Sequence, residues 1–344
     1  MADSASYDRV MNTLGKKRHR VDKFPCINSV SVATIDFMKS YDAYWPAAHN
    51  DPVKMAKLAS AAHRKCGLDN VSLPFCMTVE AEVFGAPVNF FEDSVKWPSV
   101  KKLIAKEVSD LHFPKDLPSV GRIPVITKAI EILKREFDGI VPVNAYIVPP
   151  FTSLSSYLVE TMDFLKWLIR SPENAKEFLT STWKTYSEIA QIYNEAGADT
   201  ITLHEMGAST DNISPKQFDT FVKPYLTKII SEVKCPTILN VCGSANLIVE
   251  NMIRCGSVAI ALGERTLIKE AREIVENSKK GYPIIGNVSS YEVLHNGPVT
   301  RIQEEVKKTI DAGVSIVAPG CDFWLETPTE HIKAFVEAVH QQEL

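Results

Sequence analysis

Apolar and polar positions alternate along the chain with two different periods. Eight short runs rich in β-branched and apolar residues lie at 24–31, 70–77, 141–149, 200–207, 236–243, 258–264, 282–289 and 314–321. Each is followed by a longer amphipathic stretch, with clear helical spacing at 172–196, 215–233 and 299–312. Short apolar runs read as strands buried on both faces, and strands alternating with helices imply parallel pairing through right-handed crossovers. Eight such units predict an α/β chain folded as a closed (β/α)8 TIM barrel, one domain over 1–344. An open doubly wound sheet is the rival, but no Gly-x-Gly-x-x-Gly follows the first run.

Helix punctuation agrees with this division. Ser214-Pro215 and Thr327-Pro328 read as N-caps followed by proline at the first helical position. Gly197 and Gly313 each stand between a helical stretch and the next strand, as helix-terminating glycines do. The longest connection, 78–140, carries scattered proline and charge and is expected to pass over the barrel mouth. Residues up to about 23 are expected to add an N-terminal helical extension.

Composition narrows the class. With 344 residues and 45% hydrophobic content, the chain can bury enough surface to offset its conformational entropy, which excludes disorder. Lys and Arg number 38 against 42 Asp and Glu, a net charge of −4, so no basic stripe favours nucleic acid. The short run Lys16-Lys17-Arg18-His19-Arg20 reads as a solvated helix end. No segment approaches the roughly 18 apolar residues of a membrane span. The opening Met1-Ala2-Asp3-Ser4 is polar, and cytoplasmic residence is the expectation. Seven cysteines without a secretion signal point away from a disulfide framework, towards buried small hydrophobes or metal ligands.

Barrel chemistry gathers at the C-terminal ends of the strands, where the loops converge. The residues at those ends are Cys76, Tyr146, His204 with Glu205, Asn240 with Cys242, Glu264, Asn287 and Cys321. Cys242, Cys321 and Glu264 are distant in sequence, yet a barrel can aim all three at its axis. Two thiolates and a carboxylate around Zn²⁺ make a soft site of net charge −1 with an open fourth position, the form of a catalytic zinc. Both cysteines also fit the role of buried apolar residues. Strand alternation turns one of His204 and Glu205 inward, as ligand, acid or anchor, or else leaves them a structural pair. Tyr146, Phe151 and Phe323 can form an aromatic wall for a flat substrate, and Asn287 lies in a loop region where barrels bind anions.

The runs Leu239-Asn-Val-Cys-Gly, Gly286-Asn-Val-Ser-Ser, Gly297-Pro-Val and Ala318-Pro-Gly-Cys resemble the methylcobamide:coenzyme M methyltransferases of the uroporphyrinogen decarboxylase-like superfamily. Leu73-Pro-Phe-Cys-Met-Thr-Val, Gly121-Arg-Ile-Pro-Val and Glu195-Ala-Gly-Ala-Asp extend the resemblance over nearly the whole chain. It implies a TIM barrel with zinc held by a His-x-Cys pair and a later Cys, plus a Glu when substrate is absent. It also implies a separate corrinoid-binding protein, carrying the cobalamin, at the barrel mouth. Carried over, the ligands are Cys242, Cys321 and Glu264.

One position departs from that family: Asn240 stands where the His of His-x-Cys is expected. An amide oxygen is a poor zinc ligand, so either Asn240 acts beside the metal or on the substrate, or another group such as His204 completes the site. The apolar ends Tyr146-Ile-Val-Pro favour a methoxy-aromatic substrate, demethylated at oxygen with His204 or Glu205 as proton donor. The alternative is methylation of a thiol, coenzyme M. Decarboxylation ranks low because Cys26-Ile-Asn-Ser-Val-Ser lacks basic residues, and a metal-free binding protein is the remaining reading. A homodimer is compatible with all of these.

Overall fold

The computed structural model describes residues 5–344; the polar start at 1–4 lies outside the described residues. Nine strands occur among the described residues: β1 (Val71–Leu73), β2 (Val88–Asn89), β3 (Ser99–Val100), β4 (Val143–Ile147), β5 (Thr200–His204), β6 (Thr237–Val241), β7 (Ala259–Leu262), β8 (Ile284–Val288) and β9 (Ile316–Pro319). β2 and β3 form a small antiparallel hairpin, while the other seven make one sheet in the order β1-β4-β5-β6-β7-β8-β9. Every pairing in that sheet is parallel. Helices cover its outer face, and the sheet curls into the predicted TIM barrel.

The eighth strand, expected at 24–31, is reduced to a single parallel bridge between Cys26 and Val317. Val317 N–H donates to Pro25 O at 2.9 Å and Ile27 N–H to Val317 O at 3.0 Å, so this segment closes the barrel on the β9 side. Towards β1, Asp69 N–H donates to Cys26 O at 2.8 Å. A regular ladder does not form there because side chains take its place. The Asp69 carboxylate accepts Cys26 N–H at 2.8 Å and the Asn70 amide oxygen accepts Asn28 N–H at 3.0 Å. Pro25 has no N–H to contribute.

Alternation along the strands divides the barrel interior into two halves. On one side Ser72, Asn144, Thr200 and Thr202 form a buried network: Asn144 Nδ2 donates to Ser72 Oγ at 2.7 Å, and both threonine hydroxyls donate to Asn144 Oδ1 at 2.9 Å. On the other, Ile238, Ala259, Ala261, Ile285, Ile316 and Ala318 pack together. The N-terminal helix, Ser6–Leu14, joins this apolar half through Val10 and Leu14. The helical extension thus ends earlier than residue 23, with a 3-10 turn at Arg18–Arg20 beyond it.

Local signals hold in most places. Ser214 and Gln217 form a reciprocal capping box, and Gly197 and Gly313 take φ values of +112° and +107°. The stretch 215–233 is not one regular helix: a π-helical turn at Phe218–Val222 separates Pro215–Gln217 from Lys223–Glu232. Pro224 accounts for the change, since it cannot donate to the preceding turn and its ring crowds it. Thr327 does not cap; the last helix, Thr329–His340, begins one residue later. Its Thr329 N–H is satisfied by Asp36 Oδ2 at 3.1 Å, a partner 293 residues away. Within 78–140, helix Ile123–Phe137 belongs to the outer layer and only the part before it is an excursion.

Asp69 ties the base together. Its buried carboxylate accepts from Arg9 at 2.5 Å, Ser6 Oγ at 2.7 Å, and His340 Nε2 and Cys26 N at 2.8 Å. Burial opposes its ionisation, but His340 and Arg9 prevail and hold it below the usual carboxylate range. A depressed folded-state pKa means that its contribution is present above about pH 4 and is lost as pH falls through the folded value. Asp69→Ala leaves a buried guanidinium without this partner and is expected to cost on the order of 3–5 kcal/mol. Urea denaturation at pH 7 measures this; an unchanged midpoint contradicts it.

Candidate functional site

The strand ends converge as a barrel requires. Cys242 follows β6 and Cys321 follows β9 across Gly320, and their Sγ atoms lie 3.0 Å apart. That is well beyond the ~2.05 Å of a disulfide, and all seven cysteines are free thiols. Such an approach needs loops without side chains. A Cβ on Gly320 would stand 2.7 Å from Glu264 N, and one on Gly263 2.5 Å from Gly243 N. Gly243 itself has φ +89°, with Asp211 Oδ2 2.6 Å from where its Cβ would be.

His204 ends β5 and is the in-register partner of Asn240 on β6. Its Nδ1 lies 3.3 Å from Asn240 Oδ1, and the Asn240 amide N–H donates to Ser29 Oγ at 2.7 Å. The Cys242 thiol also reaches Asn240 Oδ1, at 3.5 Å. One donor atom each from His204, Cys242 and Cys321 all lie within 4.8 Å of one another, the group of potential ligands drawn this close among the described residues. Burial pushes the His204 pKa down to about 4, although Asn240 resists, so the ring is neutral at pH 7. The hydrogen bond with Cys321, and then burial, hold the Cys242 thiol well above the usual range. Two thiols and a neutral imidazole are a soft donor set that fits zinc, and a divalent cation there would reverse the thiol's preference for its proton.

These sulfurs open into a cavity of about 460 Å³ bounded by Met77, Trp97, Glu264, Tyr291, Phe323 and Trp324, with Arg265 and Asp322 also on its wall. Tyr291 and Trp324 pack with centroids 4.8 Å apart. Burial raises Asp322 to about 7, against a hydrogen bond accepted from Ser31 N–H at 2.9 Å. The result is an apolar chamber with its polar groups at the sulfur end.

The sequence pattern of uroporphyrinogen decarboxylase (URO-D) matches residues 6–342. The chain belongs to the URO-D family. It is 32% identical over 320 residues to the methylcobamide:CoM methyltransferase MtaA of Methanosarcina barkeri (strain Fusaro), covering 92% of this chain and 93% of that one. To the methylcobamide:CoM methyltransferase MtbA of Methanosarcina mazei it is 32% identical over 341 residues, 98% of each chain. A solved methyltransferase from Methanosarcina mazei superposes with a TM-score of 0.90 at 34% identity, over 97% of this chain and 98% of that one. Within the URO-D family this chain is therefore an enzyme of the methyltransferase type.

In this URO-D-family barrel the expected site residues separate into two groups. Cys242, Cys321, Glu264 and Phe323 line the cavity. Glu264 stands outside the close group of three, its Oε2 accepting Ser290 N–H at 3.0 Å. Glu205 faces away from the axis: its Oε1 accepts Thr152 N–H at 2.7 Å and the Thr152 hydroxyl, and burial raises it to about 7. Phe151 is a core residue, edge-on to Phe164 at 5.4 Å, because the short helix Pro150–Ser153 turns it outward. Tyr146 is buried against the His204 ring at 6.0 Å and is not part of the cavity wall. Asn287 donates to Gly263 O at 2.9 Å and Thr266 O at 2.8 Å, bracing the loop that carries Glu264.

Several site residues escaped the sequence reading. Asp322 and Arg265 adjoin Cys321 and Glu264, so adjacency was their signal; Trp97 arrives on the excursion and had none. Cys76 does not join the sulfur pair: Arg122, buried, donates to its Sγ and to Thr78 Oγ1 at 2.9 Å and to Glu82 at 2.7 Å.

The raised Cys242 pKa gives a pH dependence. Unfolded thiols ionise near pH 8.5 while the folded Cys242 thiol stays protonated, so its contribution to metal-free stability is complete below that pH and lost above it. From pH 8 to 10 the metal-free protein should lose stability with a share from this group of up to about 1.4 kcal/mol per pH unit. Thermal melts of the metal-free protein and Cys242→Ser check this; identical alkaline slopes contradict it.

Proposed function

We propose that this enzyme transfers a methyl group from a corrinoid, carried by a separate protein, to the sulfur of a small thiol, coenzyme M being the first candidate. The observation that carries this reading is the pair of sulfurs, with an imidazole beside them, at the floor of an apolar cavity. Cys242 and Cys321 would hold zinc, which when bound lowers a substrate thiol's pKa and keeps it as thiolate at neutral pH. The chain's own groups do the rest. Met77, Phe323 and Trp324 surround the substrate and exclude water, which strengthens charge interactions in the chamber. Asp322, titrating near neutrality on the same wall, is suited to take the proton that the thiol gives up. The exposed rings of Trp97, Tyr291 and Trp324 stand at the open end, where the corrinoid protein has to approach.

Ether cleavage, favoured by the sequence alone, has less support. Of the aromatic wall Tyr146, Phe151 and Phe323, only Phe323 reaches the cavity. The proton donor such a reaction needs is missing from its expected places, since Glu205 points away and His204 is neutral. The relatives matched over nearly their full length carry coenzyme M in their names. A polycarboxylate substrate is also disfavoured, because Arg265 is the single cation among the described residues lining the cavity. Its side chain is 71% exposed and faces Asp211 at 3.7 Å.

Incubation with methylcobalamin or a methylated corrinoid protein and coenzyme M should yield the methyl thioether. Cys242→Ala and Cys321→Ala are each expected to lower that rate by at least ~100-fold, as is stripping the metal with a chelator. Phenol released from methoxyarenes, with no thioether from any thiol, would instead establish ether cleavage.

A further inference from the structure

We propose that His204 is the third protein ligand of the metal, an imidazole displaced by one strand, and that Asn240 is its positioning residue. This rests on the metal-centred reading above and assigns the part of the site that the Asn240 departure leaves open. The argument begins with register. β5 and β6 are parallel with His204 opposite Asn240, so a side chain at either position projects inward at the same height of the barrel. An imidazole at 204 therefore faces the same level of the barrel axis as a side chain at 240, with neither backbone moved.

The hydrogen bonds then specify what each group can do. Asn240 Nδ2 donates to Ser29 Oγ at 2.7 Å, which leaves Oδ1 as the acceptor facing His204 Nδ1 at 3.3 Å. An acceptor there requires the proton on Nδ1, and the lone pair then resides on Nε2. A ligating histidine whose other nitrogen donates to an oxygen is the usual way in which ring orientation and tautomer are set around a metal. Tyr146, edge-on at 6.0 Å, restricts rotation of the ring from the other side. The amide at 240 therefore acts through His204. Glu264, by contrast, lies outside the close group, with one carboxylate oxygen, Oε2, accepting Ser290 N–H.

X-ray absorption at the zinc edge of the zinc-loaded wild-type protein should show two sulfur neighbours and one imidazole, the latter by its multiple-scattering signature. Titration against a chromophoric chelator should show zinc affinity reduced by more than ~100-fold in His204→Ala, with loss of the imidazole signature. In Asn240→Ala the signature should remain and affinity fall by ~10–100-fold, as for other residues that orient a ligand. Glu264→Gln should keep the imidazole. The exchange of both residues, His204→Asn with Asn240→His, should recover it relative to His204→Ala. Zinc bound by two sulfurs with no imidazole in the wild type overturns the assignment and needs no variant to fold; so does an imidazole that survives His204→Ala. A wild-type protein that takes up no zinc removes the metal-centred reading itself, which is a different result.

Discussion

Backbone-to-backbone contact at the barrel rim is the constraint on which the site depends. The loops after β6, β7 and β9 approach so closely that a side chain on Gly263 or Gly320 would collide with neighbouring backbone, and one on Gly243 with the side chains of Asp211 and Ser209. Only with these loops seated together can Cys242 and Cys321, 79 residues apart in sequence, bring their sulfurs to 3.0 Å. Asn287 completes the seat by taking two carbonyls of the loop that carries Glu264. A bulkier residue at any of these glycines would act on the sulfurs through the loops rather than through the cavity.

The divided interior of the barrel follows from the same geometry. Its apolar half, closed below by Val10 and Leu14, gives stability through burial alone. The polar half costs desolvation, which its closed hydrogen-bond network offsets. At the top of that half the links from Ser29 to Asn240 to His204 lead to the sulfurs. The buried polar layer thus holds one ring in a set orientation, and a more hydrophobic barrel of the same shape would lack that control.

The two ends of the barrel treat ionisable groups in opposite ways. At the base, Asp69 is surrounded by donors and held in its charged form. At the mouth, Cys242 and Asp322 are half-buried in the cavity wall, and desolvation favours their protons. A group stabilised as an ion contributes to folding, whereas a group kept neutral by burial can change state when a cation or substrate arrives. Stability and chemistry are separated along the barrel axis, as the strand polarity of this architecture allows.

Much of this was written in local sequence. Seven of the eight apolar runs became strands of the sheet, the glycine and Ser214 punctuation held, and the two decisive cysteines stood at predicted strand ends. These features depend on neighbouring residues, through periodicity and backbone preference, and can be read one segment at a time. Alternation also required one of His204 and Glu205 to face inward, but not which. The roles of Asn240, Phe151, Tyr146 and Trp97, and the reduction of 24–31 to a single bridge, depend on which residue of one strand lies opposite which residue of another. Register and closure are set by contacts between segments tens to hundreds of residues apart, and no local pattern carries them. Residue types and their strands were determined by the sequence alone; which of them meet was decided by the tertiary structure.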